Sequence, residues 1–174
     1  MDLTIARAGM EAVAETDALI REAAAWLIAK GEQLWGPNET SYDELVQVAR
    51  AGELVTGRVG GDGHSADELA ACMYLHHEDR LFWPHAAPSE AFYVHRLAVA
   101  RKYAGRGYAH AMLDWAAEEV RNRKRTHLRL DCEPRLKLLA LYRSAGFTRI
   151  DAQPIRVGMH FVVRHEKPIL PMRT

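Results

Sequence analysis

A basic, glycine-containing turn, Val99-Ala100-Arg101-Lys102-Tyr103-Ala104-Gly105-Arg106-Gly107-Tyr108-Ala109, joins a strand-like segment to a helix-like one. The upstream segment, Ala91–Val99, sets Tyr93, His95, Leu97 and Val99 on one face of an extended chain. Downstream, Gly107–Arg123 repeats Ala109, Met112, Leu113, Ala116 and Val120 at helical spacing. A helix that starts straight out of such a turn leaves its first backbone N–H groups without intrahelical partners. Small residues let the backbone approach a ligand, and the positive end of the helix dipole favours an anion. The turn suits a phosphate-bearing ligand. Taken by itself, it also fits a surface turn with solvated basic residues.

The rest of the chain supplies elements around this unit. Leu3–Ala8 reads as a strand, followed by a helix with Leu19, Ile20, Ala23, Ala24, Leu27 and Ile28 on one face and a stop at Gly31. Ser41 and Glu44 form a capping-box pattern that opens a second helix, which ends near Gly52. Val55, Gly57 and Val59 suggest a strand turning at Gly60–Gly63, and Leu69–Leu75 alternates as the next. His77–Ser89 is a long loop containing Trp83-Pro84 and Pro88. His127–Cys132 reads as a strand, Leu136–Ala145 as a helix stopped by Gly146, and Phe147–Asp151 and Val157–Val163 as strands. The tail Glu166–Thr174, with Pro168 and Pro171, is expected to be loose. The order β-α-α-β-β-β-α-β-α-β-β predicts an α+β fold, a mixed and mostly antiparallel sheet of about seven strands flanked by helices. With 174 residues, one domain over residues 1–174 is expected.

Composition removes several function classes. Lys+Arg and Asp+Glu both number 23, so the net charge is zero and the chain does not read as a general nucleic-acid binder. No apolar run is long enough to span a bilayer, and the first residues lack the apolar stretch of a signal peptide, so no membrane partner is expected. Cys72 and Cys132 sit inside apolar runs, which reads as two buried reduced thiols and a cytoplasmic protein. His76-His77-Glu78-Asp79, with His85 nearby, does not read as a metal site, because adjacent histidines on an extended strand face opposite ways. The turn also fails the dinucleotide fingerprint, with His110 where a third Gly or Ala belongs.

Three segments in order resemble the GNAT superfamily of acyl-CoA N-acyltransferases. They are Leu97-Ala98-Val99 with the turn Ala104-Gly105-Arg106-Gly107-Tyr108-Ala109, the strand Leu128-Arg129-Leu130-Asp131-Cys132, and Ala140-Leu141-Tyr142-Arg143-Ser144-Ala145-Gly146-Phe147. The first is similar to the family's Gln/Arg-x-x-Gly-x-Gly/Ala phosphate loop, with Ala104 in place of Gln or Arg. The third is similar to its Leu-Tyr-x-x-x-Gly-Phe ending, with Arg135 where Asn is frequent. The resemblance implies the acyl-CoA N-acyltransferase fold and acetyl-CoA as co-substrate. Its pantetheine would pair with the backbone of Leu97, Ala98 and Val99, and its diphosphate would lie on Gly105, Arg106, Gly107, Tyr108, Ala109 and His110. Arg101, Lys102 and Arg106 would add positive charge.

Transfer from a thioester to an amine needs a neutral nucleophile, and freeing a lysine-like amine at pH 7 costs about 4.6 kcal/mol. The resemblance implies Tyr142 as the acid that protonates the departing thiolate and Asp131, directly or through water, as the base. His95 is a second base candidate. Each has a structural alternative: Tyr142 as a core tyrosine, Asp131 as a partner of Arg129 or a helix cap, His95 as a partly buried structural residue. No metal is expected. Family analogy places the acceptor among Gln33–Glu39, the Phe82–His85 loop and Gln153–Arg156. There Trp35, Phe82 and Trp83 would form an aromatic box, or would cover the core end, and Glu39 or Glu78 would hold an ammonium. A small-molecule amine is preferred to a protein acceptor, and a homodimer through Val157–Val163 is expected by analogy. A silent acyl-CoA-binding module, a longer acyl chain and a protein amine remain the alternatives.

Overall fold

A computed structural model describes residues 2–32, 35, 41–60, 67–158 and 160–170. Strands β1 (Leu3–Arg7), β2 (Leu54–Val59), β3 (Glu68–His76), β4 (Ala91–Val99), β5 (His127–Cys132), β6 (Thr148–Arg149), β7 (Ile155–Val157) and β8 (His160–Pro168) alternate with helices. The helices are α1 (Val13–Ala29), α2 (Tyr42–Arg50), α3 (Tyr108–Asn122) and α4 (Leu136–Ser144). The strands are ordered β1-β2-β3-β4-β5-β8-β6, with β7 on β8. This is the expected mixed α+β sheet. The Cα framework separates into two compact units, Met1–Tyr74 with Arg96–Met112, and Leu75–His95 with Leu113–Thr174.

In the first unit, β1 and β2 pair antiparallel from Leu3↔Val59 to Arg7↔Val55. The β2–β3 register slips between Gly57 and Arg58. Packing is close at Gly57, where a Cβ would stand 3.0 Å from Met112 Sδ and 3.2 Å from the Leu3 methyls and would press those side chains aside. Ser41 caps α2, its Oγ accepting the Glu44 N–H at 3.0 Å. Val13, Leu19, Ile20, Leu45, Val48, Leu54, Cys72 and Tyr74 are buried in one apolar cluster. The apolar stripe of α1 is shorter than its sequence suggests, because Ile28 is 57% exposed.

In the second unit, Ala91–Val94 of β4 run parallel to His127–Leu130 of β5, the α3 crossover supplying the connection a parallel pair needs. β5 continues antiparallel to β8 from His127↔Pro168 to Cys132↔Val163, and β6 and β7 both pair antiparallel with β8. Phe92, Leu113, Ala116, Val120, Leu128, Leu130 and Val163 are buried.

Two expectations near the C-terminus are corrected. Val157–Val163 is not one strand: Gly158, at φ +60°, falls between β7 and β8. The tail is not loose from Glu166 onward, since Glu166, Lys167 and Pro168 pair with Arg129, Leu128 and His127. Ile169 is buried and its N–H donates to Thr126 O at 2.8 Å. Residues 171–174, 33–34, 36–40 and 61–66 lie outside the described residues, and with them Glu39 and most of the predicted Gly60–Gly63 turn.

Arg164 of β8 ties down the end of this unit. Its Nη2 donates to Asp151 Oδ1 at 2.8 Å and its Nε to Oδ2 at 3.1 Å, while Oδ2 also accepts the Arg164 backbone N–H at 2.7 Å. Burial raises the Asp151 pKa, but these donated bonds outweigh it and hold the carboxyl below its ordinary value. A depressed carboxylate contributes stability that is full above about pH 4 and lost as pH falls through its folded-state value. We expect Asp151→Asn to cost about 2 kcal/mol at pH 7, the worth of a hydrogen bond to a charged group. Urea titrations should show less loss of stability for Asp151→Asn than for the wild type as the pH is lowered from neutral through the carboxylate range.

Candidate functional site

The basic turn forms an open backbone cradle in the first unit. After β4, Ala100 is fixed by its N–H bond to Ala70 O (2.9 Å), and Tyr103 N–H closes a short turn on Ala100 O (2.9 Å). Gly105 and Gly107 then take φ +79° and +81°, values that L side chains rarely adopt. Ala111 N–H donates to Gly107 O at 3.1 Å, so the helical ladder begins there. Tyr108 and Ala109 stand in the first turn of α3, where backbone amides lie ahead of the intrahelical ladder. A Cβ on Gly105 or Gly107 would meet nothing within 4 Å, so these positions are set by backbone conformation and not by packing.

The cations around the cradle are partly engaged. Lys102 pairs with Glu68, which also accepts the Tyr103 hydroxyl at 2.8 Å. Arg101 lies flat on Trp26, its Cζ 3.6 Å from the ring centroid, and Arg106 sits 5.7 Å from the Tyr103 centroid. Lys102 thus shares its charge with a carboxylate. The Arg96 guanidinium lies 5.7 Å from the Trp35 ring centroid.

The second unit assembles a half-buried polar group. The β4–β5 ladder ends at Val94↔Leu130; His95 follows, and Arg96 then takes φ +51°. His95 Nε2 lies 3.0 Å from Asp79 Oδ2, with side chains 21% and 7% exposed. Ligand-type atoms of Asp79, His95 and Asp131 all lie within 4.8 Å of one another. Asp79 comes from the His77–Ser89 loop, and its Oδ1 accepts the Phe82 N–H at 3.0 Å. Burial raises the Asp79 pKa, but the His95 contact, the Phe82 N–H and the nearby His95 and His76 rings bring it below its ordinary value. Asp79 is therefore an ionised carboxylate at neutral pH.

Tyr142 on α4 is 8% exposed and lies edge-on to Phe147 and beside His165, both centroids at 6.0 Å. Burial, followed by the neighbouring Cys132 and Asp131, pushes its phenol well above the ordinary value. It stays protonated at neutral pH, as an acid for a late thiolate must. Arg129 pairs with Glu90 (2.8 Å) and Glu166 (3.3 Å). Trp83 is buried against Ala91 and Tyr93, with Arg129 and Arg164 at 4.8 and 5.3 Å from its ring. It is a core residue of the loop. Glu78 pairs with Arg80.

Residues 28–147 match the acetyltransferase (GNAT) family. Over 86 residues the chain is 36% identical to the uncharacterized N-acetyltransferase YesJ of Bacillus subtilis (strain 168), a match covering 47% of this chain and 48% of YesJ. The matched region thus spans about half the length of that relative. The fold is similar to a GNAT-family acetyltransferase from Listeria monocytogenes 4b F2365, with TM-score 0.78, 20% identity, and 95% and 94% of the two chains covered. It is also similar to YncA of Salmonella typhimurium, solved with its cofactor acetyl-CoA, with TM-score 0.71, 13% identity, and 100% and 98% coverage. The family match takes in the cradle, β5 and the Tyr142–Phe147 segment together. This chain belongs to the GNAT family of acetyltransferases.

Proposed function

We propose that residues 1–174 act as one acetyltransferase domain that moves the acetyl group of acetyl-CoA to a small primary amine by direct attack. The observation that carries this reading is the Gly105–His110 cradle, where two positive-φ glycines precede a run of helix-start amides. The diphosphate lies on those amides, and the pantetheine pairs with the backbone of Leu97–Val99, beyond the last β4–β5 ladder pair. Arg101 and Arg106 supply charge.

The acceptor enters as the free amine and adds to the thioester carbonyl. Asp131, directly or through the polar group it shares with Asp79 and His95, draws off the amine proton. The tetrahedral intermediate collapses with the C–S bond pair leaving on sulfur, and Tyr142 protonates that thiolate. Both cysteines are buried, and burial pushes each thiol up to about 12, which supports direct transfer over an acyl-enzyme. The two free thiols suit a reducing cytoplasm. Among the described residues no helix is long and apolar enough to cross a membrane. For the assembly we propose the homodimer expected by analogy, with Phe161, 58% exposed on β8, at the contact.

Thiol release from acetyl-CoA with a panel of alkyl and aryl amines tests the activity; binding without turnover of any amine would favour a silent sensing module. Tyr142→Phe is expected to lower kcat by about 100-fold or more with little change in acetyl-CoA affinity; near-normal kcat would remove it from the mechanism. Gly107→Val places a branched Cβ in open space at φ +81°, and calorimetry is expected to show CoA affinity falling by about tenfold or more. Unchanged affinity would place the diphosphate elsewhere.

A further inference from the structure

We propose that Asp79 is a positioning residue that holds His95 in the Nε2–H tautomer, making His95 Nδ1 the atom that takes the proton from the acceptor amine. This rests on the acetyl-transfer reading and assigns the base within it. The contact joins Nε2 to Asp79 Oδ2 at 3.0 Å. An ionised carboxylate only accepts hydrogen bonds, so Nε2 must carry the hydrogen and the lone pair is left on Nδ1. Asp79 is itself fixed: Oδ1 accepts the Phe82 N–H, and its carbonyl accepts the Trp83 N–H at 3.0 Å. Trp83 is buried, and Arg164 Nη1 reaches Phe82 O at 3.3 Å. Packing and four hydrogen bonds therefore converge on the orientation of one imidazole.

The rings of His76 and Phe82 lie 5.2 and 6.1 Å from that of His95. Asp79 and Asp131 also lie close to it. A zinc ion with ligand bonds of about 2.0–2.1 Å in tetrahedral geometry separates neighbouring ligand atoms by about 3.4 Å. At 3.0 Å, Asp79 and His95 stand at hydrogen-bond distance instead. The geometry is that of an oriented base.

The proton balance is complete without a further reactant. One amine proton goes to Nδ1 as the C–N bond forms, giving an imidazolium flanked by the Asp79 and Asp131 carboxylates. Tyr142 gives its proton to the thiolate as the C–S bond breaks. The imidazolium proton returns to the phenolate through solvent, leaving amide and free CoA thiol.

Two-bond 1H–15N correlation on the full-length chain labelled with 15N-histidine reads the tautomer, with His95→Gln assigning the signal. The wild type is expected to show Nε2–H at pH 8, Asp79→Asn to show a gain of Nδ1–H, and Asp79→Glu to keep the wild-type pattern. With whichever amine of the panel turns over, Asp79→Asn is expected to lower kcat by about 10- to 100-fold with the acetyl-CoA KM within about twofold. An Nδ1–H tautomer in the wild type, an unchanged tautomer in Asp79→Asn, or wild-type kcat in His95→Gln would overturn the proposal, as would stoichiometric Zn2+ binding lost in both variants. Acetyl-CoA that fails to bind, or binds and is never transferred, overturns the underlying reading, and the tautomer is read without any substrate.

Discussion

The second unit is organised by two guanidinium groups against one buried indole. Arg129 and Arg164 both lie close to Trp83, and two like charges in a half-buried setting need compensation. Glu90 and Glu166 provide it for Arg129, and Asp151 for Arg164. Cation–π attraction and paired carboxylates then work in the same direction. The clamp links β5, β8 and the long loop after β3, and through the Phe82 carbonyl it reaches the turn that carries Asp79. A loop of that length would otherwise be the least fixed part of the unit.

The first unit is organised differently, around a turn whose backbone stands open. Its positive-φ glycines stand where a side chain would have room but the wrong backbone geometry. One nearby lysine is tied to Glu68, so on the proposed reading oriented amides and two arginines, rather than a dense field of charge, would hold the diphosphate.

Much of this was legible from residue pattern. The bounds of β4 and β5 fall where alternation and punctuation put them, and α3 and α4 lie within a residue or so of their predicted spans. The cradle was legible because Gly105 and Gly107 interrupt a basic run between a strand and a helix. Asp79 was not. It sits in a loop with no periodicity, and nothing local says that its partner is sixteen residues on in β4. The His76–Asp79 cluster could be seen in sequence, yet only the turn at Phe82 shows which member aims at His95. Trp83 stays open in sequence between pocket lining and core cover, because the arginines of two later strands that lie against it are distant in the chain. The split of the last strand was carried by Gly158, a single glycine within the run Val157–Val163.

On the proposed acetyl-transfer reading the chain runs the risk of becoming its own substrate, since a thiolate is a far better acyl acceptor than an amine. Cys132 follows directly on Asp131 in β5. Burial there, reinforced by the Asp131 and Glu133 charges, keeps the sulfur as an un-ionised thiol. On that reading the Asp131 charge, which helps keep the Cys132 thiol un-ionised, also guards it against S-acylation.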